Sequence, residues 1–343
     1  MSGAIALKAP DPAILSRRDQ IIADLADFLP AGTVVSSERE LKPFETDGFI
    51  AYRRMPLAVT LPRSTEEVAA ILKYCARYKV PVVARGAGTS LSGGAIPQED
   101  AVVIALTRMN RILEVDYPNR CARVQAGVTN LAISDAVSAD GFFYAPDPSS
   151  QLACTIGGNI ANGSPIGDSP PALIALSATV TLRSASGQRT MPLEDYFIDY
   201  GKQDRQPGEF VESILVPRPK AESHVAVYKI TKRRDEDISA LCGAFHLETD
   251  VAGIVTHIRI AFGGMAGTPK RARSVEAALY GKPFTQGAVD AARDAFDHDY
   301  QPLTDWRATA EYRQLTAKNL LTRFFLEVSG TPQELQRFAT EEA

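Results

Sequence analysis

The chain has 343 residues, of which 45% are hydrophobic and 23% are charged, and its formal net charge at pH 7 is -4. This composition is typical of a globular protein with enough apolar material for two or three domains. Its basic residues are dispersed, which argues against nucleic acid or an anionic membrane surface as a partner. No run approaches the roughly 18 apolar residues of a membrane span, and the amino terminus has no signal-peptide pattern, so we expect a cytoplasmic protein.

The first part of the chain predicts a parallel α/β arrangement. Apolar residues at helical spacing over 14–28 indicate an amphipathic helix that ends before Pro30. A short strand at 57–61 is followed by a helix at 65–78, which begins at the capping box Ser64-Thr65-Glu66-Glu67. A second strand follows at 80–84. A strand, a helix and a strand within about 30 residues predict a right-handed crossover and a parallel pair of strands.

The rest of the chain predicts further strands and then helices. Up to residue 216 we expect a helix at 129–139 and strands at 101–106, 112–115, 123–126, 178–182, 189–191 and 211–216. Pro217 and Pro219 indicate a linker. Beyond it, the pattern predicts an antiparallel meander with strands at 225–230, 239–247 and 254–262, followed by helices at 271–280, 286–299 and 309–327.

A glycine-rich loop, ARGAGTSLSGG over residues 84–94, directly follows the strand at 80–84. A diphosphate needs several backbone N–H groups pointed inward, and only residues with small side chains let the backbone come that close. The loop departs from the G-x-G-x-x-G pattern of a Rossmann site and from the G-x-x-x-x-G-K-[ST] pattern of a P-loop. It therefore predicts a different kind of diphosphate site, with a purely structural turn as the alternative.

Three later features are candidates for the same site or have simpler explanations. The pair Gly157-Gly158 precedes a polar asparagine, where the backbone could approach a ligand closely. Asp168 could accept hydrogen bonds from a ribose or an adenine, or it could cap the helix that begins near Pro170. The basic run 232–234 is followed at once by the acidic run 235–237, which is also the pattern of a solvated turn.

The spacing of the cysteines and histidines predicts no metal site. The four cysteines lie far apart without a C-x-x-C pair, and the four histidines show neither H-x-H nor H-x-x-x-H spacing. Zinc sites and iron–sulfur clusters need closely spaced ligands of this kind. We therefore expect isolated, reduced thiols.

The chain resembles two families of flavoenzymes. Residues 1 to about 160 resemble the FAD subunit of glycolate oxidase, on the segments 85–94, 124–134 and 144–151. Residues from about 155 onward resemble the small subunit of bacterial xanthine dehydrogenase, on the segments 157–171, 197–204, 228–237 and 261–270. The run 155–162 is common to both families. We interpret the chain as a chimera joined within 154–162, natural or engineered; the alternative is a single divergent family whose halves look different.

The resemblance implies an α+β fold. A PCMH-type FAD-binding domain, of the vanillyl-alcohol-oxidase-like kind with two α/β subdomains, would be followed by a small α+β domain of the CO dehydrogenase flavoprotein C-terminal type. The expected boundaries are an N-terminal helical or irregular segment at 1–55, the FAD-binding domain at 56–220, the C-terminal domain at 221–331 and a tail at 332–343. The two subdomains would cover about 56–140 and 141–220.

The resemblance also implies the residues of the cofactor site. The glycine loop would wrap the pyrophosphate and approach the flavin, Asp168 would bind the ribose or adenine side, and Lys229 would lie near the isoalloxazine. The implied FAD-binding set is Arg85, Gly86, Ala87, Gly88, Thr89, Ser90, Gly93, Gly94, Thr155, Gly157, Gly158, Asn159, Asp168 and Lys229. The turn 232–237 would be the mobile loop where NAD is admitted, which makes Lys229, Glu236 and Asp237 the candidate catalytic residues.

The function implied is that of an FAD-dependent oxidoreductase of the xanthine dehydrogenase type, in which electrons pass between a partner or substrate and NAD through FAD. The implied partner is a molybdenum-cofactor large subunit or another redox subunit. The cysteines of the iron–sulfur module found in that family are missing here, so the route of electron entry stays open. One alternative is a glycolate-oxidase-like FAD subunit that oxidises a 2-hydroxy acid, although the histidine-bearing substrate domain of that family is missing. The other is a non-catalytic chimera that binds FAD.

Overall fold

The computed structural model describes residues 9–89, 94–118, 121–141, 156–233 and 237–330. The chain divides into two compact units. The first comprises Met1–Gly158, Leu182–Arg189 and Arg205–Glu212, and the second comprises Asn159–Thr181, Thr190–Asp204 and Ser213–Ala343. None of the helices in the described part of the chain combines the length and the apolar character that a membrane crossing requires.

The first unit is built on a four-stranded sheet. The strands described before residue 158 are β1 (Val34–Val35), β2 (Ala58–Thr60), β3 (Val82–Arg85), β4 (Val102–Ala105), β5 (Ile112–Asp116) and β6 (Cys121–Val124). The helices described there are α1 (Pro12–Leu15), α2 (Arg18–Phe28), α3 (Glu38–Leu41), α4 (Thr65–Tyr78) and α5 (Asn130–Val137). The sheet has the order β1-β2-β4-β3, and β5 pairs with β6 in an antiparallel ribbon.

The order of the strands in this sheet differs from the prediction, because β2 and β3 are not neighbours. β2 and β3 are parallel, but each pairs with β4, which lies between them. All four residues of β4 are buried, so this strand suits a central position with both faces covered. The prediction that the strands on either side of the helix pair directly is therefore wrong, because a later and more apolar strand takes the place between them.

Helix α4 forms as the sequence predicts and packs on one face of this sheet. It spans Thr65–Tyr78, and the side chain of its N-cap Ser64 accepts a hydrogen bond from the Glu67 N–H. Apolar residues at helical spacing are buried against the sheet, with α2 packed in the same core. Residues of alternate parity, Val59, Val103 and Ala105, form a separate core with Leu41 on the other face. The sheet is thus covered on both sides, and β3 leads directly into the glycine loop.

The strands and helices described after residue 155 begin with α6 (Ile156–Asn162) and α7 (Ser169–Ala175). The strands are β7 (Thr179–Ser184), β8 (Gly187–Pro192), β9 (Phe197–Asp199), β10 (Lys202–Gln203), β11 (Phe210–Leu215), β12 (His224–Ile230), β13 (Leu241–Thr249), β14 (Val255–Gly263) and β15 (Lys270–Arg271). The later helices are α8 (Leu193–Tyr196), α9 (Arg273–Leu279), α10 (Gln286–Ala292), α11 (Phe296–Asp299) and α12 (Ala310–Val328). One sheet has the order β11-β7-β8.

The antiparallel meander predicted for the second unit is confirmed. β12, β13, β14 and β15 pair in that order, and each described pairing in this sheet is antiparallel. One face packs against α9–α12 through an aromatic core, in which the Phe245 and Phe324 rings stack with centroids 5.0 Å apart. Phe262 meets Phe296 edge to face at 5.7 Å. The helix predicted at 286–299 is interrupted by a 3-10 turn at Arg293–Ala295, so α10 and α11 are separate.

Candidate functional site

The described part of the glycine loop presents its backbone openly. Gly88 has φ of +73°, in the left-handed region that glycine adopts without strain. A β-carbon at Gly88 would collide with the guanidinium of Arg85, whereas a β-carbon at Gly86 would meet nothing within 4 Å. The backbone at Gly86 is therefore exposed and accessible to a ligand. Ala87, Thr89 and Gly94 are exposed, and Ser90 and Gly93 lie outside the described residues.

The side chain of Arg85, the first residue of the predicted FAD set, is held by the segment around residue 45. Its Nη1 donates to the Thr46 carbonyl oxygen at 2.6 Å, and its Nη2 donates to the Pro43 carbonyl oxygen at 3.4 Å. The guanidinium carbon lies 5.5 Å from the centroid of the Phe44 ring. Burial lowers the pKa of Arg85, and the charge of Asp47 opposes this shift. The position of this side chain is thus set by the protein itself.

The predicted Gly157-Gly158 pair lies in helix α6. The next residue, Asn159, has a buried side-chain oxygen, Oδ1, without a hydrogen-bond partner among the described residues. Leaving a buried acceptor unpaired costs about 1–3 kcal/mol, so such atoms are expected to meet a ligand or an ordered water. This acceptor fits a ligand with hydroxyl or N–H donors. Thr155 lies outside the described residues.

Two predicted site residues from distant parts of the chain, Asp168 and Lys229, form an ion pair. The Lys229 Nζ lies 2.9 Å from the Asp168 Oδ2, and the Ser239 hydroxyl donates to the Asp168 Oδ1 at 2.5 Å. Asp168 occupies the N-cap position of α7, yet its side chain makes no capping hydrogen bond. The side chains of Lys229 and Asp168 are 36% and 40% exposed, so both can still meet a ligand. The Asp168 carboxylate therefore forms a polar cluster with Lys229 and Ser239, and it does not cap the helix.

Two further residues near this ion pair were missed by the sequence reasoning. Ser239 orients the carboxylate of Asp168, and the buried Cys242 lies opposite Lys229 in the β12–β13 register, with its sulfur 3.9 Å from the Asp168 carbonyl oxygen. Burial raises the pKa of the Cys242 thiol to about 12, so this cysteine stays protonated at neutral pH. It is a packing residue rather than a nucleophile.

One face of β12 extends the same cluster with apolar side chains. β12 lies at the end of the sheet order, and alternate residues of a strand share a face. Val225, Val227 and Lys229 alternate in this way and are exposed, whereas Tyr228 is buried in the core. The face is therefore an apolar strip that ends in a cation, a surface that suits a flat aromatic ring with a polar edge. This exposed face could have been predicted from the alternation of residues in the sequence HVAVYKI, which has a period of two.

Where it is described, the turn after β12 is held by hydrogen bonds from backbone N–H groups to the side chain of Asp237. Asp237 accepts hydrogen bonds from the N–H groups of Arg233 at 2.9 Å and Ile238 at 3.0 Å. The bond from Arg233 is the main cause that lowers the pKa of Asp237. Lys232 donates from Nζ to the Trp306 carbonyl oxygen at 2.7 Å. Asp237 thus closes the turn, and its role in catalysis stays a prediction; Glu236 lies outside the described residues.

Over the residues that the structure covers, no group of three or more histidine, cysteine, aspartate or glutamate side chains is placed to hold a metal ion. The two described free cysteines, Cys75 and Cys242, are both buried.

Two family models match the chain. Residues 56–172 match the FAD binding domain, and residues 226–328 match the CO dehydrogenase flavoprotein C-terminal domain. The predicted fold, a PCMH-type FAD-binding domain followed by a CO dehydrogenase flavoprotein C-terminal domain, is thereby confirmed.

The predicted resemblance to two groups of flavoenzymes is also confirmed by individual proteins. The glycolate oxidase subunit GlcD of Escherichia coli (strain K12) is 50% identical over 144 residues, which are 42% of this chain and 29% of the relative. The nicotinate dehydrogenase FAD-subunit of Eubacterium barkeri is 29% identical over 177 residues, which are 51% of this chain and 60% of the relative. The chain thus spans only part of the length of these relatives.

Among solved structures, the carbon monoxide dehydrogenase of Hydrogenophaga pseudoflava, which lacks the Mo-pyranopterin moiety of the molybdenum cofactor, matches with a TM-score of 0.65 and 29% identity. The match covers 80% of this chain and 98% of that chain. A reconstituted CO dehydrogenase from Oligotropha carboxidovorans matches with a TM-score of 0.64 and 25% identity.

Proposed function

We propose that this chain, which combines an FAD-binding domain with a CO dehydrogenase flavoprotein C-terminal domain, is the flavin module of a dehydrogenase that works with a molybdenum-cofactor subunit. The observation that carries the proposal is the open backbone at Gly86, at the end of β3, within the residues that match the FAD binding domain. The match of 98% of a CO dehydrogenase chain supports the choice of this type of enzyme. The similarity to the nicotinate dehydrogenase FAD-subunit of Eubacterium barkeri also supports a role as the FAD-binding subunit of a larger enzyme.

The residues present fit FAD by their chemistry. Within the first unit, the glycine loop that begins at Gly86 is assigned to the diphosphate of the cofactor, through its backbone N–H groups. The unpaired amide oxygen of Asn159 and the carboxylate of Asp168 accept hydrogen bonds from hydroxyl or N–H groups of the cofactor. Lys229, paired with Asp168, lies at the end of the apolar face of β12, where its side chain stabilises negative charge on a neighbouring ring. Bound FAD supplies the redox chemistry.

NAD is the proposed partner in electron exchange at the turn 232–237. The proposal rests on the resemblance of residues 228–237 to the loop beside the flavin in xanthine dehydrogenases. Lys232 and Arg233 place two cations there, and Asp237 holds the backbone of the turn. The basic side chains of this turn suit the diphosphate of a dinucleotide.

The flavin absorption spectrum tests the central claim. Purified protein, or apoprotein mixed with FAD, is expected to keep flavin absorption through gel filtration. A colourless preparation that takes up no added FAD contradicts the proposal.

A second candidate function is oxidation of a 2-hydroxy acid, which the 50% identity to the GlcD segment favours. Anaerobic reduction distinguishes the two. Under the main proposal, NADH bleaches the flavin absorption and glycolate or D-lactate does not. Bleaching by glycolate or D-lactate without any bleaching by NADH supports the second candidate.

A further inference from the structure

We propose that residues 43–49, the clamp segment, position the FAD site by fastening the glycine loop at both of its ends, with Arg85 and Asp47 as positioning residues. The inference rests on the proposed function. The clamp segment lies upstream of residues 56–172, which match the FAD binding domain, and no motif marks it in the sequence.

The first fastening is at the start of the loop. The Arg85 guanidinium donates to the carbonyl oxygens of Thr46 and Pro43, so it joins the end of β3 to the clamp segment. The same guanidinium fills the space that a side chain at Gly88 would need. The backbone of Gly88 thus rests against a group that the clamp segment holds. Contact with the Arg85 guanidinium therefore helps to hold Gly88 in its conformation with φ of +73°.

The second fastening is at the end of the loop. The Asp47 Oδ2 accepts a hydrogen bond from the N–H of Ala95, the residue after Gly94, at 3.1 Å. Its Oδ1 accepts from the Phe49 N–H at 2.9 Å, so both carboxylate oxygens are used. The Asp47 residue is only 5% exposed, and hydrogen bonds from N–H groups to a carboxylate of this kind are among the stronger ones in proteins.

The clamp segment is itself tied to the framework of the first unit. The Arg54 N–H donates to the Glu45 carbonyl oxygen at 2.8 Å, and the Thr46 hydroxyl donates to the Tyr52 carbonyl oxygen at 3.0 Å. Arg54 also forms an ion pair, at 2.8 Å, with Glu99, which follows the loop in the sequence. Because residues 52–54 lead into β2, the two ends of the loop are fixed relative to the sheet. A loop held in advance loses less conformational entropy when it binds its ligand.

The test compares two buried aspartates that both accept backbone N–H groups. Asp47→Ala removes the fastening at Ala95, and Asp100→Ala removes a carboxylate whose described hydrogen bond is the one it accepts from the Asp11 N–H at 2.8 Å. The measurements are the dissociation constants of the apoproteins for FAD and for FMN, which lacks the diphosphate bridge to adenosine, together with the apoprotein melting temperatures. We expect Asp47→Ala to weaken FAD binding by about tenfold, with a smaller effect on FMN, and Asp100→Ala to leave the FAD dissociation constant within about twofold of wild type.

Wild-type affinity for FAD in Asp47→Ala overturns the inference. Equal weakening by both variants, with equally lowered melting temperatures, also overturns it, because the effect is then one of general stability. If wild type binds FMN too weakly to measure, the FAD constants of the two variants decide. Should Asp47→Ala fail to fold, Asp47→Asn, which keeps one acceptor oxygen, replaces it with the same expected direction. A wild-type protein that binds no FAD refutes the proposed function instead.

Discussion

Substitutions at Gly88 and Gly86, two glycines of the same loop, distinguish an effect on protein stability from an effect on FAD binding. Gly88→Ala forces a β-carbon into the left-handed region, at a cost of about 1–2 kcal/mol, and against the Arg85 guanidinium. Gly86→Ala adds a methyl group in open space. We therefore expect Gly88→Ala to lower the melting temperature of the apoprotein. Gly86→Ala is expected to leave that temperature unchanged and to weaken FAD binding, measured as the dissociation constant of the apoprotein.

Gly32 provides a control for backbone strain alone. It has φ of +75°, and a β-carbon there would meet nothing within 4 Å, so Gly32→Ala carries the strain of Gly88→Ala without the collision. A larger loss of melting temperature in Gly88→Ala than in Gly32→Ala measures the effect of displacing Arg85. Wild-type FAD affinity in Gly86→Ala would show that the cofactor does not approach the backbone at this residue.

At the scale of elements, β13 and β14 bring the buried His246 together with the half-buried His257. The rings of His246 and His257 lie 4.9 Å apart, and the Nε2 atom of each is buried without a described hydrogen-bond partner. Burial lowers the pKa of both residues. The charge of Glu248 acts in the opposite direction on both, and that of Arg259 acts in the same direction as burial. The folded protein therefore favours neutral imidazoles.

The stability of the protein should fall in mild acid as a result. With a folded-state pKa below the ordinary value of about 6.5, the unfolded chain binds more protons between the two values. The contribution of the two neutral histidines to the free energy of unfolding is therefore fully present above about pH 6.5, and it decreases as the pH falls below that value. Urea unfolding at about pH 7.5 and about pH 5.5 measures this loss, and His257→Gln is expected to reduce it. The same loss in wild type and His257→Gln would contradict the role of His257.

The elements that the sequence predicted well have strong local signals. Helix α4 has its N-cap at Ser64, and the strands β13 and β14 of the meander have nine residues each, with buried apolar runs. The position of β4 between β2 and β3 could not be predicted, because strand order depends on pairing between distant segments. The helical state of Gly157 and Gly158 was missed because glycine pairs are unfavourable in helices by propensity.

For the molecule as a whole, the sequence supplied the candidate residues and the structure supplied their relations. The glycine loop, Asp168 and Lys229 stand in recognisable motifs. The bond between Asp168 and Ser239 joins α7 to the chain just before β13, and no local pattern indicates it. Asp47 stands in no motif at all, since its role depends on the distant Ala95 N–H. Long-range hydrogen bonds of this kind are fixed only when the sheets assemble.

Binding of FAD should stabilise the folded protein by mass action, because a ligand that binds only the folded state lowers its free energy. At a free FAD concentration about 100 times the dissociation constant, the free energy of unfolding is expected to rise by about 2.7 kcal/mol. Apoprotein melting with and without FAD measures this change as a rise in the transition temperature. In Gly86→Ala the same FAD concentration should give a smaller rise, since the added methyl group weakens binding without lowering the stability of the apoprotein. A wild-type melting temperature that does not respond to FAD would contradict a folded-state cofactor site, whatever the activity of the protein.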